Sequence, residues 1–234
     1  ERGLVKSRSR AQALIMAGVV FSNSKKLDKA GTQLPENTEL ELKGQDHPWV
    51  SRGGLKLQHA LEHFKFDVKN TICLDVGAST GGFCDVLLSK EVAKIYAVDV
   101  GHGQLAWKIR NNERVVVIER FNARYITNKE IPEEVDFICC DASFIGLRTI
   151  LPAPIKLAKS GAKLIALIKP QFEVAKGQVG NKGVVRDPVL HNEVCKRISD
   201  WFTELDDWQV IGVEKSPITG PEGNVEFLIA ASHC

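Results

Sequence analysis

The 234-residue chain is 44% hydrophobic and 26% charged, an ordinary globular composition that excludes a largely disordered or fibrous protein. Its 31 basic residues nearly balance its 29 acidic residues, so any surface that binds nucleic acid must be local. The apolar run at 164–168 is far shorter than the ~18 to 20 residues that span a bilayer, and no secretory leader opens the chain, so we expect a cytoplasmic protein.

The first segment, residues 1–44, differs from the rest because its seven cations before residue 30 are accompanied by only two acids, Glu1 and Asp28. A helix is predicted over residues 10–17, where Gly18 supplies a left-handed stop. Residues 19–21 and the strictly alternating residues 38–42 predict short strands, the second of them half-buried. The segment is therefore expected to be a small α+β module.

Beyond a glycine- and proline-containing linker at 45–54, residues 55–234 alternate between apolar strand patterns and segments of helical length and period. This alternation predicts an α/β, Rossmann-like fold with a mostly parallel sheet and helices on both faces. Near its end, two strands joined by a glycine- and proline-rich turn predict an antiparallel pair at the sheet end. The predicted elements are helices at 55–66 and 189–205 and strands at 71–76, 93–98, 115–118, 135–140, 161–168, 208–214 and 225–231.

A turn of small residues follows the first of these strands, at residues 75–83. Strand, small-residue turn and helix together let backbone N–H groups and a helix N-terminus approach a ligand closely. The spacing is not G-x-G-x-x-G, because three other residues separate Gly77 from Gly81, so the dinucleotide fingerprint is absent. Asp99 ends the second strand, where a carboxylate usually receives a ribose diol. Together these features predict a site for a nucleoside cofactor.

The turn resembles the first motif of S-adenosylmethionine-dependent methyltransferases, in the Gly-Gly-aromatic form of the FtsJ-like ribose methyltransferases. The resemblance implies S-adenosylmethionine as cofactor, with Asp99 on its ribose hydroxyls and Asn122 and Ala123 beside its adenine. The cofactor-binding residues that it implies are Asp75, Gly77, Ala78, Ser79, Gly81, Gly82, Phe83, Asp99, Asn122, Ala123 and Asp141.

Charged residues also follow the fourth and fifth strands, at Asp141 and Lys169. Both lie at the carboxyl edge where open α/β sheets bind ligands. In the FtsJ-like family a Lys-Asp-Lys-Glu set converges on the target ribose, and the residues that match it are Lys56, Asp141, Lys169 and Glu226.

The resemblance and the chemistry of the reaction together assign roles to these four residues. A ribose 2′-hydroxyl is a poor nucleophile at neutral pH, so the enzyme must position it and receive its proton. Two crowded ammonium groups disfavour each other's charge, which favours a neutral lysine as base, while Asp141 limits that shift. Lys169 is expected to steer or deprotonate the hydroxyl, and Asp141 to bridge cofactor and base. Lys56 and Glu226 are expected to hold the ribose.

The first 44 residues resemble the small RNA-binding module first described in a ribosomal small-subunit protein, with its front helix truncated. Module and methyltransferase body together resemble the TlyA-like proteins, often called hemolysin A, a family that implies methylation of ribosomal RNA at cytidine 2′-hydroxyls. Cations without stacking aromatics suit phosphate contacts, so we expect recognition of folded RNA by backbone and shape. The predicted RNA-binding residues are Arg2, Lys6, Arg8, Arg10, Lys25, Lys26 and Arg52.

Three other functions stay open from the sequence. A methyltransferase for an exocyclic base nitrogen commonly carries Asp/Asn-Pro-Pro-aromatic after the fourth strand, and residues 141–144 keep only the ends of that pattern. A membrane-lytic protein needs a sizeable exposed apolar or amphipathic surface, which the sequence does not indicate. A non-catalytic RNA-binding scaffold is disfavoured by the intact charged positions.

No metal site and no disulfide framework are expected. The 6 cysteines form no C-x-x-C pair and are interpreted as reduced thiols, mostly in the core. His59 and His63, four residues apart, are interpreted as one helix face rather than as metal ligands.

Overall fold

The structure is a computed structural model in which the chain divides into two compact units, residues 1–52 and residues 53–234. The division falls within the predicted linker. The residues that the structure describes are 4–5, 8–16, 18–23, 25–27, 29–42 and 47–234, with the side chains at 9, 10, 13, 16, 176 and 181 outside the description.

The first unit contains a helix and a small antiparallel sheet. Helix α1 spans Arg8–Met16, close to the predicted helix. The sheet has the order β2-β1-β3, with β1 at Val20–Ser22, β2 at Lys25–Lys26 and β3 at Glu41–Leu42. Of the half-buried strand predicted over 38–42, only the last two residues pair, and both are exposed. The prediction is wrong both in the length of the strand and in its burial. Alternation of apolar and polar residues assigns side chains to two faces, but pairing and burial depend on which segments pack against those faces.

The second unit is an α/β domain. Its strands lie close to the predicted positions, and its first helix begins at Gly53, inside the predicted linker. The helices are α2 Gly53–His63, α3 Gly82–Ser89, α4 Trp107–Arg110, α5 Leu147–Ile150, α6 Pro170–Glu173 and α7 Pro188–Thr203, and the strands are β4 Ile72–Val76, β5 Lys94–Val98, β6 Val115–Ile118, β7 Val135–Cys140, β8 Ala158–Ile168, β9 Trp208–Lys215 and β10 Phe227–His233.

The seven strands form one sheet in the order β6-β5-β4-β7-β8-β10-β9. Pairing is parallel from β6 to β8 and antiparallel on both sides of β10. The predicted parallel sheet with an antiparallel end is confirmed, with β10 inserted between β8 and β9. Chain order reverses between β4 and β7, and such a reversal opens a crevice at the carboxyl ends of the strands, where ligands bind.

The connections between β5 and β8 contain less helix than predicted. Helices α4 and α5 have 4 residues each, and the segment between β6 and β7 contains only the 3₁₀ turn Ala123–Tyr125. Apolar residues of these segments, Ile126 and Ile131 among them, are nevertheless buried on the sheet. The apolar spacing of these segments therefore indicates which side chains face the core. A segment can bury such side chains without forming a regular helix.

The core lies on both sides of the central strands. Leu74, Ile138, Leu164 and Ile165 have no exposed surface, and Phe202 of α7 is equally buried. This packing fixes the strand ends that carry the candidate site. Among the described helices, none has the length and apolar character needed to cross a membrane.

Candidate active site

The turn of small residues connects β4 to α3 at the carboxyl edge of the sheet. Gly77 has a φ of 86° and Ser79 a φ of 47°, both in the left-handed region. A Cβ at Gly77 would lie 3.0 Å from the backbone oxygen of Asp141 and 3.1 Å from backbone atoms of Ala142. Glycine is therefore needed, because the turn packs directly against the residues that follow β7.

Asp99, directly after β5, is oriented by two backbone donors. The N–H of Ser79 donates to its Oδ2 at 2.8 Å, and the N–H of Gly101 donates to its Oδ1 at 2.7 Å. The N–H of Phe121, next to Asn122, donates to the backbone oxygen of Asp99 at 3.1 Å. The structure therefore brings Ser79, Asp99 and Asn122 to one edge of the sheet, all at least partly exposed.

Several residues of the implied cofactor set are buried instead of exposed at this edge. Asp75 is fully buried, and the Cys84 thiol donates to its Oδ2 at 3.0 Å. Burial raises the pKa of Asp75 to about 7. The geometry thus makes Asp75 a support under the turn rather than a side chain facing the crevice. Other buried members of the set are Ala78, Gly82, Phe83 and Ala123, while Gly81 packs against Leu105.

Four charged side chains from distant parts of the chain meet beside the turn. Lys56 Nζ lies 2.6 Å from Glu226 Oε2 and 3.3 Å from Asp141 Oδ2. Lys169 Nζ lies 2.6 Å from Asp141 Oδ1. The structure therefore brings together all four predicted catalytic residues, in the contact order Glu226, Lys56, Asp141, Lys169. We call this group the tetrad.

The tetrad is largely withdrawn from water. Glu226 is 2% exposed, and Lys56 and Lys169 are each 7% exposed. Two carboxylates accompany two ammonium groups, so every buried charge has an opposite partner, as low-dielectric surroundings require. Burial tends to raise the pKa of Asp141, but the ammonium groups of Lys56 and Lys169 outweigh it and hold that pKa below its usual value. Asp141 is therefore a carboxylate at neutral pH.

Each tetrad side chain is placed at the end of a regular element. Lys56 lies in the first turn of α2, and Asp141 directly follows β7. Lys169 follows β8, and Glu226 precedes β10, 170 residues after Lys56. Because the ends of packed elements move little, the four charges are held in place by the sheet and by α2.

Ser143 was not identified from the sequence. Its hydroxyl oxygen accepts a hydrogen bond from Lys169 Nζ at 2.9 Å. The neighbouring Phe144 is 90% exposed, and its ring lies 5.1 Å from that of Phe172. A serine and a phenylalanine after a strand are common in proteins. The sequence therefore did not indicate that Ser143 contacts Lys169 or that Phe144 is exposed.

The turn before Glu226 also contributes residues whose roles were not predicted. Asn224 is 3% exposed; its side-chain nitrogen donates to the Gly183 oxygen at 3.0 Å, and its Oδ1 accepts from the Val185 N–H at 3.0 Å. A Cβ at Gly220 would lie 2.7 Å from Glu226 Oε1. Asn224 and Gly220 thus fix the turn and leave room for the carboxylate, and their place in a glycine-rich turn was the available signal.

The basic residues predicted to bind RNA are only partly described. Arg8, Lys25 and Lys26 are exposed in the first unit. Arg52 is half-buried and interacts with other groups of the protein. A common RNA-binding face stays a prediction, since part of the set lies outside the described residues, namely Arg2, Lys6 and the side chain of Arg10.

A known protein family covers the part of the chain that carries the tetrad and the turn. The model of the FtsJ-like methyltransferase family matches residues 49–233, which include both features. The chain belongs to the FtsJ-like methyltransferase family. As a member of this family it is an enzyme that transfers a methyl group from S-adenosylmethionine.

Individual relatives agree with the family. The 16S/23S rRNA (cytidine-2′-O)-methyltransferase TlyA of Mycobacterium tuberculosis is 47% identical over 229 residues, covering 97% of this chain and 85% of that protein. Hemolysin A of Brachyspira hyodysenteriae is 41% identical over 232 residues, covering 97% and 94%. The solved structure of a candidate hemolysin from Streptococcus thermophilus superimposes with a TM-score of 0.81 at 41% identity, covering 99% of this chain and 85% of that one.

The residues around the turn have the chemistry that S-adenosylmethionine requires. Gly77 keeps the backbone free of a side chain where the turn meets the residues after β7. Asp99, held by two N–H groups and partly exposed, presents acceptors suited to a ribose diol. Asp141, whose backbone oxygen packs against the turn at Gly77, supplies a negative charge of the kind that stabilises a positively charged sulfur. Gly77, Ser79, Asp99 and Asn122 are therefore the residues that would hold the cofactor.

Proposed function

We propose that this FtsJ-like enzyme methylates the 2′-hydroxyl of a cytidine in ribosomal RNA. The observation that carries the proposal is the tetrad, in which Asp141 joins two lysines directly beside the turn at Gly77. The choice of ribose and of cytidine is supported by relatives named as rRNA (cytidine-2′-O)-methyltransferases, one of them 47% identical to this chain.

Lys169 is the residue that handles the proton of the target hydroxyl. When bound, S-adenosylmethionine supplies a methyl group on a positively charged sulfur, so the hydroxyl oxygen needs only positioning and loss of its proton. Contacts with Asp141 and Ser143, at 2.6 Å and 2.9 Å, fix the direction of Lys169 Nζ. Lys169 Nζ is thereby placed to steer the hydroxyl or, once it has released a proton of its own to solvent, to receive the proton that the 2′-oxygen loses when the methyl group passes to it and the sulfur–carbon bond breaks. Asp141 then pairs with the ammonium that results.

Lys56 and Glu226 form the other half of the tetrad and hold the ribose. Lys56 Nζ donates to both Glu226 and Asp141, so it orients the Asp141 carboxylate from the side opposite Lys169. Glu226 Oε1, next to Gly220, is the acceptor that is not bonded to Lys56. Together they present a donor and an acceptor, which suits neighbouring sugar hydroxyls.

The RNA itself is bound by residues of both units. In the second unit, the exposed ring of Phe144 lies next to Ser143 and offers an apolar face on which an unpaired base can stack. In the first unit, the exposed Arg8, Lys25 and Lys26 suit phosphate contacts. We assign residues 1–44 to an RNA-binding module, 45–54 to a linker and 55–234 to the methyltransferase domain.

The main alternative acceptor is an exocyclic nitrogen of a base. After β7 the chain reads Asp141-Ala142-Ser143-Phe144, without the consecutive prolines common in base methyltransferases. Ser143 is moreover committed to Lys169. These contacts favour the ribose hydroxyl.

Transfer of labelled methyl groups to ribosomal subunits that lack the modification tests the proposal. We expect one labelled nucleotide, a cytidine whose label stays with the ribose after release of the base. A target fragment with 2′-deoxycytidine at that position should not accept label, while one with deoxycytidine elsewhere should. Label on the base, or full acceptance by the 2′-deoxy target, would contradict the proposal.

A further inference from the structure

A second cluster of polar side chains lies on the far turn of α2, away from the tetrad. His59 and His63 occupy successive turns of α2, and Glu214 faces them from β9. His59 Nε2 lies 3.7 Å from Glu214 Oε1, and His63 Nε2 lies 3.8 Å from Glu214 Oε2. One nitrogen or oxygen of each residue lies within 4.8 Å of the other two. We propose that these three side chains bind a divalent transition metal ion, with Zn²⁺ as the representative.

The present contacts leave one of these polar atoms, His59 Nε2, unsatisfied. Separations of 3.7 and 3.8 Å are too long for hydrogen bonds. His59 Nε2 is buried and has no hydrogen-bond partner among the described residues. A buried imidazole nitrogen without a partner is costly, and a metal ion would satisfy it together with His63 and Glu214.

The distances are close to those of a metal site. Zinc bonds of about 2.0 to 2.1 Å in a tetrahedron place neighbouring ligand atoms about 3.4 Å apart. The nitrogen–oxygen separations exceed this value by only a few tenths of an ångström, which a small side-chain rotation would close. The rings of His59 and His63 are already stacked, 5.9 Å apart and inclined by 30°. The Phe64 ring meets that of His63 edge-on at 4.7 Å and restrains its orientation.

The donor set selects the kind of metal. Two imidazoles and one carboxylate suit Zn²⁺, Co²⁺ and Ni²⁺, whereas Mg²⁺ and Ca²⁺ prefer oxygen ligands alone. The side chains of His59, His63 and Glu214 are 35%, 44% and 34% exposed, so water can reach the cluster as a further ligand. The site is therefore expected to bind its ion reversibly.

A metal ion here would join α2 to β9. Helix α2 carries Lys56 in its first turn, and β9 pairs with β10, which begins directly after Glu226. The ion would thus link α2, which carries Lys56, to β9, the neighbour of the strand that follows Glu226. The proposal itself does not depend on the methyl-transfer reaction. The sequence indicated that the two histidines share one helix face. It did not indicate that Glu214 lies opposite them, because Glu214 is distant in sequence.

Titration of the full chain with Zn²⁺ tests the proposal. Cys234→Ser is included in every sample, because this exposed thiol is a competing ligand. We expect one Zn²⁺ per chain in isothermal titration calorimetry, no response to Mg²⁺, and at least a 10-fold weaker affinity in His63→Gln and in Glu214→Gln. The matched control is His102→Gln. His102 lies 3.9 Å from Glu119 but belongs to no group of three metal-ligating side chains among the described residues, so its replacement should leave the affinity unchanged.

Thermal unfolding and the Co²⁺ spectrum test metal binding on the parent protein as well as on the variants. Zn²⁺ at about 100 times its Kd should raise the Tm by about 5 to 10 °C, and this rise should vanish in His63→Gln. Co²⁺ should give the visible absorption of a nitrogen-ligated, low-coordinate ion. Unchanged Zn²⁺ affinity in both variants, an aqua-type Co²⁺ spectrum, or a pH-dependent His–Glu ion pair without metal binding would each overturn the proposal.

Discussion

Two aspartates on neighbouring strands, Asp75 in β4 and Asp141 directly after β7, have opposite electrostatic situations. Asp75 is fully buried beside the Cys84 thiol, and burial raises its pKa to about 7. Asp141 lies between two ammonium groups that hold its pKa below the ordinary value despite burial. The comparison shows that burial alone does not determine the charge of a carboxyl group, since neighbouring cations can reverse its effect.

The same contrast distinguishes the structural role of Asp75 from the proposed catalytic role of Asp141. Asp75 lies under the cofactor turn, where a neutral acid at moderate pH is tolerated by its surroundings. Asp141 has to stay ionised, because it pairs with Lys56 and Lys169 and stabilises the ammonium formed during the proposed proton transfer. Substitutions that remove the cations beside Asp141, or the carboxyl group of Asp75, therefore test the two roles.

The largest effect is expected from Lys169→Met, which removes one of the two cations that distinguish Asp141 from Asp75. Single-turnover methyl transfer at saturating cofactor should slow by about 10³-fold or more, because the proton acceptor is lost. Lys163→Met, on the same strand and half-buried, is the matched control and should retain activity. Normal turnover of Lys169→Met would remove the assignment of this lysine.

A stability effect of up to about 4 kcal/mol is expected from the titration of Asp75. Its folded-state pKa of about 7 exceeds the ordinary 3.8, so the native state binds the proton more tightly than the unfolded chain does. This stabilising contribution is complete below about pH 4 and is lost as the pH rises through about 7. Relative to Asp75→Asn, the free energy of unfolding of the parent protein should therefore fall between pH 4 and pH 8.

Urea denaturation at a series of pH values measures this difference. The comparison with Asp75→Asn cancels other acids that titrate in the same window, such as Glu173, whose pKa burial also raises. Parallel stability curves for the two proteins would show that Asp75 does not carry the pH dependence.

An intermediate effect is expected from Lys56→Met. Glu226 is 2% exposed and would lose the ammonium that lies 2.6 Å away, so the free energy of unfolding should fall by about 3 kcal/mol. Adding Glu226→Gln removes the stranded charge and should restore most of the stability, although not the activity. A double variant no more stable than Lys56→Met would contradict a buried ion pair between these residues.

The smallest effect is expected at a third acid, Asp99, which is held by backbone N–H groups rather than by burial or lysines. Asp99→Asn should weaken S-adenosylmethionine binding by about 10-fold in calorimetry, since the ribose loses a charged acceptor. Methyl transfer at saturating cofactor should change little. An unchanged Kd would remove Asp99 from the cofactor site.

The strands were predictable, because their apolar runs end at turns or at charged residues that sequence shows directly. Strand order was not, since nothing local to β10 indicates that it pairs with β8 as well as β9. The short helices α4 and α5 were overestimated, because apolar spacing reports burial rather than helical hydrogen bonding. Strand order and the lengths of these helices both depend on how segments distant in sequence pack together.

For the site, sequence reasoning identified the tetrad through a family resemblance, and its contacts appear only in three dimensions. The hydrogen bond of Ser143 to Lys169 and the approach of Glu214 to the histidines were not predictable, because each joins residues far apart in the chain. The burial of Asp75 was also missed, since a motif gives the order of residues but not the direction in which a side chain points.

The position of β10 inside the sheet has a consequence for biosynthesis. A ribosome has to complete this strand before β8 and β9 acquire their shared neighbour, so the sheet cannot close progressively as the chain emerges. Until then Lys56 also lacks the carboxylate of Glu226. The site is therefore completed only when β10 takes its place in the sheet, so methyl-transfer activity should appear together with the closed sheet and not before it.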